Sequence, residues 1–285
     1  MVPPALAVVV VNHNAGAYLE RCLASVEAAA AGLPTEILLV DNASTDGSAV
    51  RAEETHPGVT FLHNTDNRGF AAAANQGVRA TAAPFVFLLN PDAEVIGGSF
   101  DAIRKVAEKR PRAGAIGVLV RNTDRSLQPS ARKVPGLGEA LGHAFVGPFA
   151  PNNRWSRSYT MAGWDRTSER EVEWVSGSAV LLRRVAFEEV DGFDEGFFMY
   201  VEDVDLCTRL RDRGWRVLFS PELEVVHATG VSARARFRSL AFEHSRSIYR
   251  YYVKHRSRGL GWALRPLVRA ALWARALIAS RGARR

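Results

Sequence analysis

Cysteine is nearly absent. Only Cys22 and Cys207 occur in 285 residues, each inside a stretch that reads as helix, which excludes a disulfide scaffold and a cysteine-built metal site and suits a reducing cytoplasm. No run of about 20 apolar residues escapes polar interruption. The closest, 259–280, is broken by Arg265, Arg269 and Arg275, so no spanning helix is expected. A positively charged leader is also missing. Met1-Val2-Pro3-Pro4 and the apolar run from Leu6 to Val11 lead straight into Asn12, His13 and Asn14, the pattern of a buried strand and not of a signal peptide. Two motifs are lacking. The first strand is followed by Asn14-Ala15-Gly16-Ala17 and not by Gly-x-Gly-x-x-Gly, which removes the main support for a nicotinamide or flavin enzyme. Ser176-Gly177-Ser178 is no Gly-x-Ser-x-Gly elbow and leads into a strand, which argues against a serine nucleophile.

Acid is scarce at one end. From Gly230 to Arg285 there are thirteen Arg and one Lys against the single acid Glu243, a charge of +13. The whole chain carries +7, so the first 229 residues carry the difference, −6. An acidic body with a basic tail follows. Elsewhere the composition is ordinary for a folded soluble protein, at 47% hydrophobic and 24% charged. The length suits one large domain or two modest ones and excludes disordered and fibrous classes.

Hydrophobic patterning predicts strands over 6–11, 36–40, 59–63, 84–89 and 114–119, alternating with helices over 16–31, 46–54, 69–80 and 98–109. The strands are continuously apolar, as burial on both faces of a helix-covered sheet requires. The stretch 121–170 is rich in Gly, Pro, Asn and Arg and reads as loops and short strands. An alternating run over 172–182 reads as one strand, followed by helices over 184–190 and 202–213, strands over 215–219 and 223–227, and two basic helices over 237–256 and 260–280. The division is a body, 1–230, and a basic helical extension, 231–285.

In open α/β sheets ligands sit beyond the carboxyl ends of the strands. Four successive strands here end in Asn or Asp: Asn12-His13-Asn14, Asp41-Asn42, Asn64 to Asn67, and Asn90-Pro91-Asp92. Each alone also fits a turn or a helix cap. Their concentration at one edge points to a pocket needing donors, acceptors and a carboxylate.

Five spaced segments carry a resemblance: Val9-Val10-Val11-Asn12-His13-Asn14; Val40-Asp41-Asn42-Ala43-Ser44-Thr45-Asp46-Gly47; Asn67-Arg68-Gly69-Phe70 with Asn75-Gln76-Gly77; Leu88-Leu89-Asn90-Pro91-Asp92; and Tyr200-Val201-Glu202-Asp203-Val204-Asp205. Their kinds and order resemble family 2 glycosyltransferases of the GT-A fold, most of all bacterial rhamnosyltransferases. The resemblance implies a Rossmann-like mixed sheet flanked by helices, and an inverting transfer of rhamnose or a related hexose from a nucleoside-diphosphate sugar, dTDP-rhamnose or a UDP-sugar. The acceptor it implies is a glycan or a polyprenyl-diphosphate-linked one at the cytoplasmic membrane face.

By that resemblance Asp41 accepts the imide N–H of a pyrimidine base, a sensible pairing of acceptor with donor. Asn12 and Asn14 line the same pocket. Asn67, Gly69 and Phe70 form a turn before a helix whose amides favour a phosphate-bearing ligand, and Asn75 faces the pocket one and a half turns on. Small residues at 176–179 leave room for the donor sugar. Asn90-Pro91-Asp92 stands where the family has Asp-x-Asp, so by the resemblance metal binding falls on Asp92, with His227 completing the shell of a Mg²⁺ or Mn²⁺ ion and Glu94 either assisting or simply solvated. Asp203 is implied as general base. Carboxylates there also suit a helix N-terminus, and Glu202 and Asp205 orient substrate or pack locally. Trp174, Phe198 and Tyr200 offer faces for a sugar ring, although aromatics at such junctions are usually core.

Two other readings are a catalytically idle nucleotide-sugar-binding partner and, through the tail, a nucleic-acid binder. The tail's Arg residues alternate with Leu267, Val268, Leu272, Trp273, Leu277 and Ile278, more apolar surface than phosphate binding needs, which favours an anionic membrane surface over nucleic acid. Packing on the body is compatible with either.

Overall fold

The computed structural model describes residues 3–136, 139, 146, 150, 153–228, 237–257 and 259–282. Its first half alternates as the patterning predicts except for β5, an unpredicted strand that follows β4 directly: β1 (Leu6–Asn12), α1 (Tyr18–Ala29), β2 (Thr35–Asp41), α2 (Ser48–Thr55), β3 (Val59–His63), α3 (Phe70–Arg79), β4 (Phe85–Leu89), β5 (Ala93–Gly98), α4 (Phe100–Lys109) and β6 (Ala113–Arg121). There follow β7 (Ala131–Arg132), α5 (Arg154–Tyr159), β8 (Arg170–Val172), β9 (Trp174–Val175), β10 (Ala179–Arg183), α6 (Arg184–Glu189), α7 (Glu202–Asp212) and β11 (Arg216–His227). The extension holds α8 (Phe237–Tyr251) and α9 (Arg265–Gly282), and the boundary expected at 230/231 lies outside the described residues.

The main sheet runs β3-β2-β1-β4-β10-β6-β11-β5, with β8 against β11. Strands β3, β2, β1 and β4 are parallel, and so are β6 and β11. Strand β10 enters antiparallel between β4 and β6, and β5 and β8 are antiparallel to β11. The sheet is therefore mixed, as expected of the GT-A fold.

Two local readings change. The run over 172–182 is three strands, β8, β9 and β10, in two different sheets. The two strands expected over 215–227 are one 12-residue strand, β11. Pro221 has no N–H to give a ladder, and the register of β11 against β6 shifts between Phe219 and Glu224. Proline thus marks an irregularity in a continuing strand and not its end.

Alternate residues of each central strand feed two cores, which is why the strands lack polar positions. On one face Val8, Val10, Phe87 and Leu89 meet α1 and α4 through Leu19, Leu23, Phe100 and Ile103. On the other, Val9, Val40, Leu88 and Phe219 meet Ala71, Ala74, Val78, Phe187, Leu206 and Leu210. Helix α3 lies close to the sheet: a Cβ at Gly77 would stand 2.4 Å from Val9 Cγ1.

Candidate active site

Asn12 and Asp41 end β1 and β2 side by side in register. The wholly buried Asn12 directs its Nδ2 to Asp41 Oδ1 at 2.9 Å and to Ser44 Oγ and Ser48 Oγ at 3.0 Å. Asp41 Oδ2 accepts the Ser44 amide at 3.1 Å. Both carboxylate oxygens are thus held in place while each retains acceptor capacity. Asn14, in the left-handed region at φ 56°, accepts the Thr45 amide at 2.7 Å. Neither asparagine points its amide into open space; both order the loop that presents Asp41.

The next wall is built by Asn42, which is buried. Its Nδ2 donates to Asn67 Oδ1 at 2.9 Å and to the Gly69 carbonyl, and its Oδ1 accepts from Asn64 and the Arg68 amide at 3.1 Å. Gly69, at φ 81°, is obligatory because a Cβ would lie 2.4 Å from the Phe198 carbonyl oxygen. The Phe70 amide donates to that same carbonyl at 2.8 Å. The first amide of α3 is therefore used by the 197–200 loop and not offered to a phosphate.

At the end of β4, Asn90 Nδ2 lies 3.2 Å from His227 Nε2, and Asp92 Oδ1 lies 3.1 Å from the same nitrogen. On the far side of the ring, His227 Nδ1 is 3.2 Å from Gln128 Oε1. Gln128 Oε1 can only accept, which favours the Nδ1–H tautomer; the Nε2 lone pair then accepts the Asn90 Nδ2–H, and the Asp92 oxygen beside it repels that lone pair unless a cation lies between them. An anionic oxygen and an imidazole acceptor converging in this way fit a divalent ion that takes its other ligands from phosphate and water. Glu94 instead pairs with Arg21 at 3.2 Å, and no group of three or more His, Cys, Asp or Glu suited to a metal occurs among the described residues. Burial, with Asp92 and Glu94 adding to it, raises the Cys22 thiol far above its ordinary value, and burial lifts Cys207 to about 12. Both thiols stay protonated.

Asp203, in the first turn of α7, is partly exposed. Its Oδ2 accepts the Gly177 amide at 3.0 Å and its Oδ1 the Val204 amide at 2.8 Å. Burial raises its pKa, against these two bonds and the Arg132 charge. Glu202 is more deeply buried, and its pKa is raised further by burial and by Asp203. The link to β4 is short: Ser178, next to Gly177, accepts the Asn90 amide at 2.9 Å through its carbonyl. Asp203 and the Asn90–Asp92–His227 corner thus flank one two-residue segment.

Two expected contacts fall elsewhere. Trp174 is core, 6% exposed, with its indole N–H on the Lys133 carbonyl at 2.9 Å and Arg132 over its ring. Asn75 is buried and staples the 191–196 loop, exchanging hydrogen bonds of 2.9 Å with the Phe193 backbone and donating to Glu195 at 3.0 Å. Tyr200, half-buried, stands edge-on to His244 of α8, a contact that leaves its expected role toward a sugar untested.

The family model for glycosyl transferase family 2 matches residues 7–191. The chain belongs to glycosyl transferase family 2. It is 39% identical over 273 residues to the N-acetylglucosaminyl-diphospho-decaprenol L-rhamnosyltransferase of Mycobacterium tuberculosis, covering 92% of this chain and 87% of that one. Rhamnosyltransferase WbbL of Escherichia coli is 29% identical over 197 residues, covering 69% and 71%. Among solved structures the fold is similar to GalNAc-T7 with UDP, GalNAc and Mn²⁺ (TM-score 0.62, 16% identity, 94% of this chain and 52% of that one). It is also similar to the mannosyltransferase PcManGT of Pyrobaculum calidifontis with GDP-Man and Mn²⁺ (TM-score 0.57, 19% identity, 99% and 74%).

Several residues that sequence reasoning did not assign to the glycosyltransferase's candidate site contact the residues it did assign. Asn42 had a signal, its place at a strand end. Gln128 had none, since it lies in the irregular stretch after β6. The extension also reaches the site's wall. Ser247 Oγ donates to the Met199 carbonyl at 2.8 Å, Tyr251 pairs with Thr208 at 3.0 Å, and Arg250 and Lys254 pair with Asp194 at 2.8 and 2.7 Å.

Proposed function

We propose that this glycosyltransferase moves L-rhamnose, or a closely related hexose, from a dTDP- or UDP-linked donor to a lipid-linked acceptor bearing N-acetylglucosaminyl diphosphate, with inversion at the anomeric carbon. The observation that carries the reading is the junction of Asp203 with the Asn90–Asp92–His227 corner through Gly177 and Ser178. It sets a carboxylate beside an anion-handling corner. The mycobacterial relative's activity supports the choice of sugar and acceptor.

In this reading Asp41 accepts the N3–H of the uracil or thymine ring, with Asn12 and Ser44 fixing its carboxylate. The acceptor hydroxyl gives its proton to Asp203 as its oxygen attacks the anomeric carbon. The bond from that carbon to the donor's diphosphate oxygen breaks, and the nucleoside diphosphate leaves with the electron pair. The amides of Gly177 and Val204 aim the Asp203 carboxylate, and its raised pKa makes it a stronger base than an exposed carboxylate. Asp92 and His227 would hold a divalent ion, Mg²⁺ or Mn²⁺, which when bound neutralises charge on the leaving diphosphate.

Nucleoside diphosphate release from a panel of dTDP-, UDP- and GDP-sugars, with Mn²⁺ or with EDTA, tests the assignment. Turnover should be greatest with dTDP-rhamnose plus a GlcNAc-diphospholipid, and should be lost in Asp203→Asn. Turnover unaffected by that substitution would remove Asp203 from its role, and a preference for another donor would replace the sugar.

A further inference from the structure

Helix α9 carries large apolar side chains on its water side as well as on its packed side. Its inward side holds half-buried Val268 and Leu272 with Arg275, whose Nη1 lies 3.3 Å from His244 Nδ1, and buried Ala276 and Ser280. Its outward side, with the turn before it, carries Trp262, Leu267, Trp273 and Ile278 at 67%, 67%, 57% and 69% exposure, flanked by Leu264 and Leu277. Among 262–278 the charged residues are Arg265, Arg269 and Arg275, and of these only Arg269 is exposed. Large apolar side chains at this density on the water side of a helix are costly unless something covers them.

Charge selects the cover. The last 56 residues hold fourteen cations and one acid, so a second copy would set +13 against +13. A surface of anionic headgroups over hydrocarbon complements both features. A groove of about 680 Å³ between α8 and α9 adds a second indication: Tyr249, Trp273 and Leu277 line it with Arg265 and Arg269. Among the described residues Arg265 is bonded only to the neutral hydroxyl of Ser257, at 2.8 and 3.0 Å, and no acid there offsets its charge. Arginine beside tryptophan at the rim of an apolar face is the arrangement of an interfacial helix. No helix among the described residues is long and apolar enough to cross a membrane, so the contact is with one leaflet.

We propose that Trp262, Leu264, Leu267, Trp273, Leu277 and Ile278 form a docking face that enters the headgroup region of an anionic bilayer, with Arg265 and Arg269 meeting lipid phosphates. Because α8 is tied to α7 and to the 194–197 loop, docking also fixes how the edge bearing Asp203 stands relative to the leaflet. This goes beyond the sugar and acceptor assignment and does not depend on it.

Flotation of the full chain with vesicles of phosphatidylcholine and phosphatidylglycerol, against phosphatidylcholine alone, tests the face without donor or acceptor. A failure there leaves the proposed reaction untouched. The chain should float with the anionic vesicles, and Trp273→Ser/Ile278→Ser should lower the apparent partition about tenfold or more, with thermal midpoint and nucleotide binding retained. In the unsubstituted protein, bilayer-brominated lipid should quench part of the tryptophan emission, and Trp262→Phe/Trp273→Phe should abolish that quenched part. Absence of anionic-vesicle binding overturns the proposal, as does equal binding by the double serine variant or unquenched emission from bound protein. Lipid-free dimerisation that the double serine variant abolishes would assign the face to self-association instead.

Discussion

Asp205 Oδ1 and Lys254 Nζ stand 2.8 Å apart with the carboxylate wholly buried, joining α7 to the C-terminal extension. The same carboxylate receives Arg209 at 2.7 Å and His255 at 2.7 Å. Burial would raise its pKa, but the bonds and charges of His255, Arg209 and Lys254 overcome that and hold it low. Asp205 follows Asp203 by two residues, so the helix with the candidate base is anchored by the tail.

Asp205→Asn leaves Arg209, Lys254 and His255 around a neutral amide. Loss of one partner of a buried ionic cluster costs on the order of 3–5 kcal/mol. Urea unfolding should report a loss of this size. Hydrogen exchange in α8 should accelerate more than in β1 or β2, and uniform acceleration would show that the cluster does not anchor the extension locally.

Asp203→Asn should lower turnover by about 10²- to 10⁴-fold, the usual contribution of a positioned base. Donor affinity should be unchanged, because Asp41 and the β1 and β2 loops remain. Isothermal titration with the donor alone separates the two, and a parallel loss of donor binding would make Asp203 a binding residue.

Burial raises both Asp203 and Glu202 above the ordinary carboxylate range. Turnover needs Asp203 ionised, so the acid limb of the rate profile should lie above that range. For stability the sign is the reverse of a salt-bridged acid. Between the unfolded value and the raised folded value the folded state holds more protons, so stability falls as pH rises through that window. Glu202→Gln should flatten this slope and raise stability at neutral pH, as read from thermal midpoints; parallel slopes in the two proteins would contradict it.

Gln128→Leu removes the acceptor that favours the His227 Nδ1–H tautomer. Outer-shell partners of metal-binding histidines typically contribute 10- to 100-fold in affinity. Mn²⁺ affinity in the presence of nucleoside diphosphate should fall by about that factor, measured by electron paramagnetic resonance of free Mn²⁺. His227→Ala should do at least as much, and an unchanged titration in both would separate His227 from the ion.

Gly69→Ala drives a Cβ into the Phe198 carbonyl at a backbone angle that favours glycine. A loss of about 1–3 kcal/mol is expected, together with displacement of the 197–200 loop. An unchanged thermal midpoint would mean that the loop yields freely.

The alternation of β1 through β4 was legible because burial on both faces forces continuous apolar strands, and few other residues satisfy it; the edge strand β5, half-exposed and paired on one side only, carried no such run and was missed. The strand-end set, Asn12, Asp41, Asn90 and Asp92, was legible for the same reason: polar residues after such strands mark the edge where side chains leave the core. The division of labour within that set was not. Asn12, Asn42 and Asn75 are all amides, and only their partners distinguish an amide that orders Asp41 from one that holds a turn or staples a distant loop.

Local composition and period therefore decided the layers of the fold and the edge that gathers the candidate site, since both follow from which side chains water excludes. Tertiary structure alone decided the antiparallel entry of β10, the meeting of Gln128 with His227 across 99 residues and the tie of Lys254 to Asp205. These contacts join segments far apart in the chain, where no local pattern distinguishes a partner from a bystander. The outward apolar set of α9 belongs with them: alternating Arg and Leu were visible in sequence, but only packing against α8 showed that Leu267, Trp273 and Ile278 face out while Val268 and Leu272 turn in.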